Sequence, residues 1–226
     1  MLSLSLLTSV LLMLTLSARG FVSRMTRNSE FQLRMSSVSA MVPIADGTEE
    51  IEAVTVIDTL VRGGVSVTVA AVTPDVKKLD IVASRGVKLL ADKHIDEVEC
   101  DFDLIAVPGG MPGAENLRDC SKLTAMLKEH KEKSKLVAAI CAAPAVVLKH
   151  HGLLEDGVPA TCYPAAAFTD ALKSDLQETG VVVSGNVVTS RGPGTALSFS
   201  LKLVELLVSK EKADEVGAAM LHQYNK

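Results

Sequence analysis

Cys141 is the residue of this sequence best placed to do chemistry. It follows the unbroken apolar run Leu136-Val137-Ala138-Ala139-Ile140, which reads as a buried strand, and precedes an Ala-rich stretch, Ala142 to Leu148, which reads as a helix. A side chain at such a junction projects from a sharp turn, its sulfur beside the unpaired N–H groups and positive end of the helix. That setting favours the thiolate, the reactive form of cysteine. The arrangement is that of a nucleophile elbow with Cys for Ser and Ala for Gly. The competing reading is an inert small residue in a tight core.

Other parts of the chain offer it partners. Gly109 and Gly110 follow Pro108 and permit close backbone approach, so their N–H groups, with that of Ala142, could form an oxyanion hole; alternatively they only turn the chain. Glu49, Glu50 and Glu52 crowd the start of a helix, where complementing the helix dipole explains the first two. Glu52 lies on the flank of that helix's apolar stripe. An enclosed carboxyl keeps its proton more readily and can donate a hydrogen bond to a nearby thiolate, and the two groups then titrate jointly.

These residues need a scaffold that brings distant loops together. Val38 to Ile44 reads as a strand, Thr48 to Arg62 as a helix closed by Gly63-Gly64, and Val65 to Val72 as a second strand: a βαβ unit with parallel strands. Ile81 to Ala91 reads as a hairpin about Ser84-Arg85-Gly86, Leu104 to Val107 as a buried strand, and Leu117 to Lys133 as one amphipathic helix. After the elbow come a helix from Ala166 to Lys173, a hairpin of Val181–Val183 and Val187–Thr189, and a last helix from Thr195 to Val208. Strand and helix alternate, which predicts an open, doubly wound, mostly parallel sheet with ligands at the carboxyl ends of its strands. Four loops share that edge: 45–52, 108–113, 141–142 and 190–194.

Composition limits the alternatives. Nearly half the 226 residues are apolar, Trp is absent and aromatics are scarce, as suits a helix-covered parallel sheet. The net charge of −4 gives no footprint for nucleic acid. Cys100, Cys120, Cys141 and Cys162 contain no C-x-x-C, and no histidine has metal-ligand spacing; neither metal nor cofactor is expected.

Residues 1–37 read as an address. Leu2 to Ala18 is an apolar run shorter than a spanning helix prefers, Ala18-Arg19-Gly20 offers a cleavage site before Phe21, and 21–37 is rich in Arg and Ser with one acid. A signal core followed by Phe and a transit-like stretch resembles the bipartite presequences of secondary plastids; secretion, a mitochondrial presequence and an uncleaved anchor are the alternatives. Removing four Arg and one Glu with residues 1–37 leaves 19 basic and 26 acidic residues, about −7, on a domain from 38 to 226 that is not expected to be membrane-bound.

Five motifs in order, Ala45-Asp46-Gly47-Thr48-Glu49-Glu50-Ile51-Glu52-Ala53, Ser84-Arg85-Gly86, Val107-Pro108-Gly109-Gly110, Ala138-Ala139-Ile140-Cys141-Ala142-Ala143-Pro144 and Thr189-Ser190-Arg191-Gly192-Pro193-Gly194-Thr195, resemble the DJ-1/ThiJ/PfpI superfamily. Within it the chain is similar to the DJ-1 branch near bacterial YajL-like proteins, over about 38–220. The resemblance implies a flavodoxin-like sandwich that forms homodimers, Cys141 as oxidisable nucleophile, Glu52 as its protonated partner, and anion-holding roles for Arg62 and Arg85. Tyr163, Gly192 and Pro193 are the further pocket residues. It also implies a glyoxalase or deglycase acting without cofactor on methylglyoxal, glyoxal or their adducts on protein, with a redox sensor or chaperone as the alternative. Two departures stand out. Tyr163 occupies a position where several members carry His, which removes a Cys–His dyad, and Ala142 stands where peptidase-like members have His, which disfavours proteolysis.

Overall fold

The computed structural model describes residues 38–99 and 102–223; the presequence reading therefore lies outside the described residues, as does Cys100. Strands β1 (Ser39–Ile44), β2 (Ser66–Ala71), β5 (Lys93–His94), β6 (Leu104–Val107), β7 (Leu136–Ile140), β8 (Val181–Ser184) and β9 (Val187–Ser190) form a seven-stranded sheet in the order β5-β2-β1-β6-β7-β9-β8. All neighbours are parallel except β8, which pairs antiparallel with β9. Strands β3 (Asp80–Val82) and β4 (Lys88–Leu90) make the separate hairpin expected about Ser84-Arg85-Gly86.

The central strands form because their residues are apolar on both faces: every residue of β6, and Val137–Ile140 of β7, is buried. Helix α1 (Glu50–Arg62) buries Ala53, Val56 and Leu60 and packs on α5 (Ala196–Leu207), which carries α6 (Lys210–Ala219). Helices α2 (Gly113–Arg118) and α3 (Ser121–Glu132) serve the β6–β7 crossover. Since β1 to β2 winds one way along the sheet and β6 to β7 the other, right-handed crossovers put α1 and α2–α3 on opposite faces. This is the doubly wound flavodoxin-like sandwich that the sequence predicts.

Several elements differ from expectation, among them the edge strand β5, where no strand was expected. The helix expected over 117–133 is two helices, broken at Asp119–Cys120, where the Cys120 thiol accepts the Leu123 N–H and caps the second. The segment after the elbow, Pro144–Lys149, is wound as a π-helix. The sequence reading missed α6 altogether.

The direction of chain winding changes between β1 and β6, and there the loops at the carboxyl ends part to leave a crevice. They remain in close contact behind it. The Glu49 N–H donates to Gly109 O at 2.9 Å, and a side chain on Gly110, at φ 88°, would strike the backbone of Gly47 and Glu49. The β3–β4 hairpin is tied to the same loop by Gly47 N–H to Val82 O and Ser84 N–H to Thr48 O, each 2.8 Å.

Candidate active site

Cys141 sits at φ 64°, the left-handed region in which a residue with a Cβ costs about 1–3 kcal/mol. Its surroundings hold it there: its N–H donates to Ser190 O at 2.9 Å, and its carbonyl accepts the Tyr163 N–H at 2.8 Å. Strand β9 and the loop before helix α4 (Ala166–Leu172) thus clamp the elbow from two sides. The residue is 9% exposed and opens into a cleft of about 310 Å3 lined by Gly110, Met111, Ala142, Tyr163, Phe168 and Pro193, with Glu49, Ser84 and Arg85 at its polar side.

Glu52 lies beneath this floor, with none of its surface exposed. The side chain of Glu49 caps α1 by accepting the Glu52 N–H at 2.8 Å, fixing the backbone of the buried acid. Oε2 of Glu52 accepts the Gly109 N–H at 2.8 Å; Oε1 is buried with no hydrogen-bond partner among the described residues. The carboxyl also interacts directly with the Cys141 thiol. Burial pushes Glu52 up to about 7; the Gly109 N–H and the thiol pull the other way, and the charge of Glu49 adds to the rise.

The thiol does not behave as the elbow alone suggested. Burial, the charge of Glu52 and the closeness of its carboxyl push Cys141 up to about 12, and they outweigh the Gly110 and Ala142 N–H groups that face the sulfur. The two groups therefore share one proton between about 7 and about 12.

Two further expectations need correction. The Gly109 N–H is committed to Glu52, so the donors left to face the sulfur are Gly110 and Ala142. Arg62 ends α1, the opposite end from Glu52, where it is exposed and ion-paired with Asp58 at 2.8 Å; it does not reach this cleft.

Arg85 does reach it. Glu50, given to the helix dipole by the sequence reading, accepts the Arg85 N–H at 2.9 and 3.1 Å and the Ser84 hydroxyl at 2.9 Å, so it holds the hairpin turn at the rim. The Tyr163 ring lies on Gly192, where an added Cβ would sit 3.3 Å from Cδ2, and meets Phe168 edge to face with centroids 6.3 Å apart. Sequence reasoning missed Phe168 and Met111. The only hint was an aromatic five residues beyond Tyr163 and a thioether between Gly110 and Pro112.

A second cleft of about 450 Å3 lies beyond Asp46 and contains His94 and Cys120. There the imidazole is engaged by Thr73 O, the Asp96 N–H and, at 3.5 Å, the Asp96 carboxylate, and the thiol by its capping bond. Among the described residues no group of three or more His, Cys, Asp and Glu could hold a metal ion, and no helix is long and apolar enough to cross a membrane.

Residues 38–206 match the model of the DJ-1/PfpI family. The chain belongs to the DJ-1/PfpI family. It is 42% identical over 205 residues to Protein DJ-1 homolog B of Arabidopsis thaliana, covering 90% of this chain and 46% of that protein. The chain thus spans about half the length of the Arabidopsis relatives it matches. It is 36% identical over 188 residues to the glutathione-independent glyoxalase DJR-1.2 of Caenorhabditis elegans, covering 80% of this chain and 93% of that one. The structure of oxidized Toxoplasma gondii DJ-1 superposes with a TM-score of 0.79 at 50% identity, covering 83% of this chain and all of that one. In this DJ-1/PfpI member the five motifs converge as described: each contributes to the lining of the Cys141 cleft, the first through Glu49, and that same motif supplies Glu52 beneath it.

Proposed function

We propose that this protein is a cofactor-independent glyoxalase, with deglycation as the same chemistry on an adduct, acting on methylglyoxal or glyoxal. The observation that carries this reading is a buried Glu52 in contact with a nucleophile-elbow cysteine whose sulfur faces two backbone donors. As the aldehyde enters, the Cys141 proton passes to Glu52 and the sulfur adds to the aldehyde carbon. The Gly110 and Ala142 N–H groups hold the oxyanion, which Glu52 then protonates to give a hemithioacetal. The Glu52 carboxylate next removes the proton from that carbon and delivers it to the neighbouring carbonyl carbon through an enediol, while the hydroxyl proton passes to the neighbouring oxygen, leaving a thioester of the 2-hydroxy acid. Water hydrolyses the thioester and restores the thiol. The aldehyde carbon is oxidised, its neighbour is reduced and one water is consumed, so no external oxidant or cofactor enters.

The test is turnover of methylglyoxal to lactate, with a chelator present, by wild type, Cys141→Ser and Glu52→Gln. Lactate formation that survives Cys141→Ser rejects the reading. A second reading, oxidation of Cys141 to a sulfinate held by the same donors, is favoured by the oxidized state of the Toxoplasma relative; an unaltered Cys141 mass after mild peroxide rejects it.

Two further proposals accompany this one. Ile51, Val54 and Val61 lie exposed along one stripe of α1 and suit pairing of two copies, which light scattering tests. Residues 1–37 direct the protein to a plastid, which N-terminal sequencing and a fluorescent fusion test.

A further inference from the structure

The Cys141 cleft is larger and more apolar than a three-carbon aldehyde needs. At about 310 Å3 it reaches the lower end of the range of about 300–1,000 Å3 that takes drug-sized ligands. One wall is made by Tyr163 and Phe168 in edge-to-face contact, continued by Met111 and Pro193, while the polar groups Ser84 and Arg85 gather at the hairpin. Tyr163 and Met111 are each more than two-fifths exposed, an open apolar surface directly beside the nucleophile.

The wall is held in register with the sulfur. The Tyr163 N–H bonds to the carbonyl of Cys141 itself, and the Tyr163 ring lies close over Gly192, where an added Cβ would sit 3.3 Å from Cδ2. A substrate group placed against these rings while its carbonyl meets Cys141 would bury apolar surface and add an aromatic contact, which a methyl group does not provide.

Resting on the glyoxalase reading above, we infer that the cleft selects α-oxoaldehydes carrying an aromatic or comparably large apolar substituent, which packs against Tyr163 and Phe168. The reaction is unchanged: an aryl oxoaldehyde plus water gives the aryl 2-hydroxy acid. For phenylglyoxal the product is mandelate.

The experiment compares kcat/KM for phenylglyoxal and methylglyoxal, from initial rates so that arginine modification does not intrude. Wild type should favour phenylglyoxal, and both Phe168→Ala and Tyr163→Leu should lower the phenylglyoxal-to-methylglyoxal ratio by about three- to tenfold, the size expected of one aromatic contact. A wild-type ratio of one or below, or a ratio that neither substitution moves, overturns the inference. If neither aldehyde is turned over through Cys141, the glyoxalase reading has failed by itself. The wall is then judged by binding to the Cys141→Ser protein: mandelate should bind at least threefold tighter than lactate and lose that advantage with Phe168→Ala, and equal binding overturns it.

Discussion

The Gly109 N–H points at Oε2 of Glu52 from 2.8 Å, away from the cleft that its neighbour Gly110 lines. One glycine of the pair therefore orients the acid and the other faces the sulfur, which divides between them a role that the sequence suggested for both.

If the proposed glyoxalase reaction runs through the pair, Glu52 sets its pH dependence. Below about 7 both members of the pair are protonated and no base remains to receive the thiol proton. kcat/KM for methylglyoxal should rise through an apparent pKa near 7 and level off at higher pH. Glu52→Gln should lose that limb and about a hundredfold or more in rate, the usual worth of a positioned acid–base. An unchanged profile in the variant would remove Glu52 from the mechanism.

The same carboxyl makes stability depend on pH. Its ordinary value of 4.5 is raised to about 7 in the folded protein, so the folded state binds the extra proton between these limits. The stabilisation is complete below 4.5 and is lost as pH rises through about 7. Glu52→Gln, which keeps an oxygen for the Gly109 N–H, should match wild type at pH 5 and exceed it at pH 8 by on the order of 2–3 kcal/mol. Urea unfolding of both proteins at the two pH values checks this, and the difference between them cancels the other titrating groups.

How much of this was legible in the sequence depended on range. Leu104–Val107 and Leu136–Ile140 could be read because strands buried on both faces are continuous apolar runs. The break at Cys120 could not, since the buried Leu117 and Leu123 keep an apolar stripe running across it. Helix α6 buries only Ala213, Val216 and Gly217, too small a stripe to stand out. The roles of Glu50 and Gly109 were hidden for another reason. Their partners, the Ser84–Arg85 turn and Glu52, lie 34–35 and 57 residues away, and local spacing carries no information about contacts at that range.

The glycine pair should tolerate no side chain. A Cβ on Gly109 would fall 2.7 Å from Cys141 Cβ and 2.9 Å from both Glu52 Oε2 and Ile140 O, so the acid and the nucleophile would be forced apart. Gly109→Ala should abolish most activity and destabilise by about 1–3 kcal/mol, as overpacking in a tight core does. Gly110→Ala meets backbone atoms at a positive φ and should be worse. Thermal melts alongside turnover test the order.

Glu50 should matter to substrate binding without touching substrate. Its carboxylate, 8% exposed, holds the Ser84–Arg85 turn through three hydrogen bonds, and the hairpin is tied to the β1 loop by backbone bonds to Gly47 and Thr48 and by the Val82 N–H donating to the Asp46 side chain. Glu50→Ala leaves the Ser84 hydroxyl and the Arg85 N–H to find water, costing about 1–3 kcal/mol locally. The loosened turn should move Arg85 from the rim, raising KM for methylglyoxal several-fold while kcat, set by Cys141 and Glu52, changes less. Trypsin supplies an independent readout. The Arg85–Gly86 bond should be cut faster in the variant than in wild type, and equal cleavage rates would show that the hairpin's ties to the β1 loop hold the turn without Glu50.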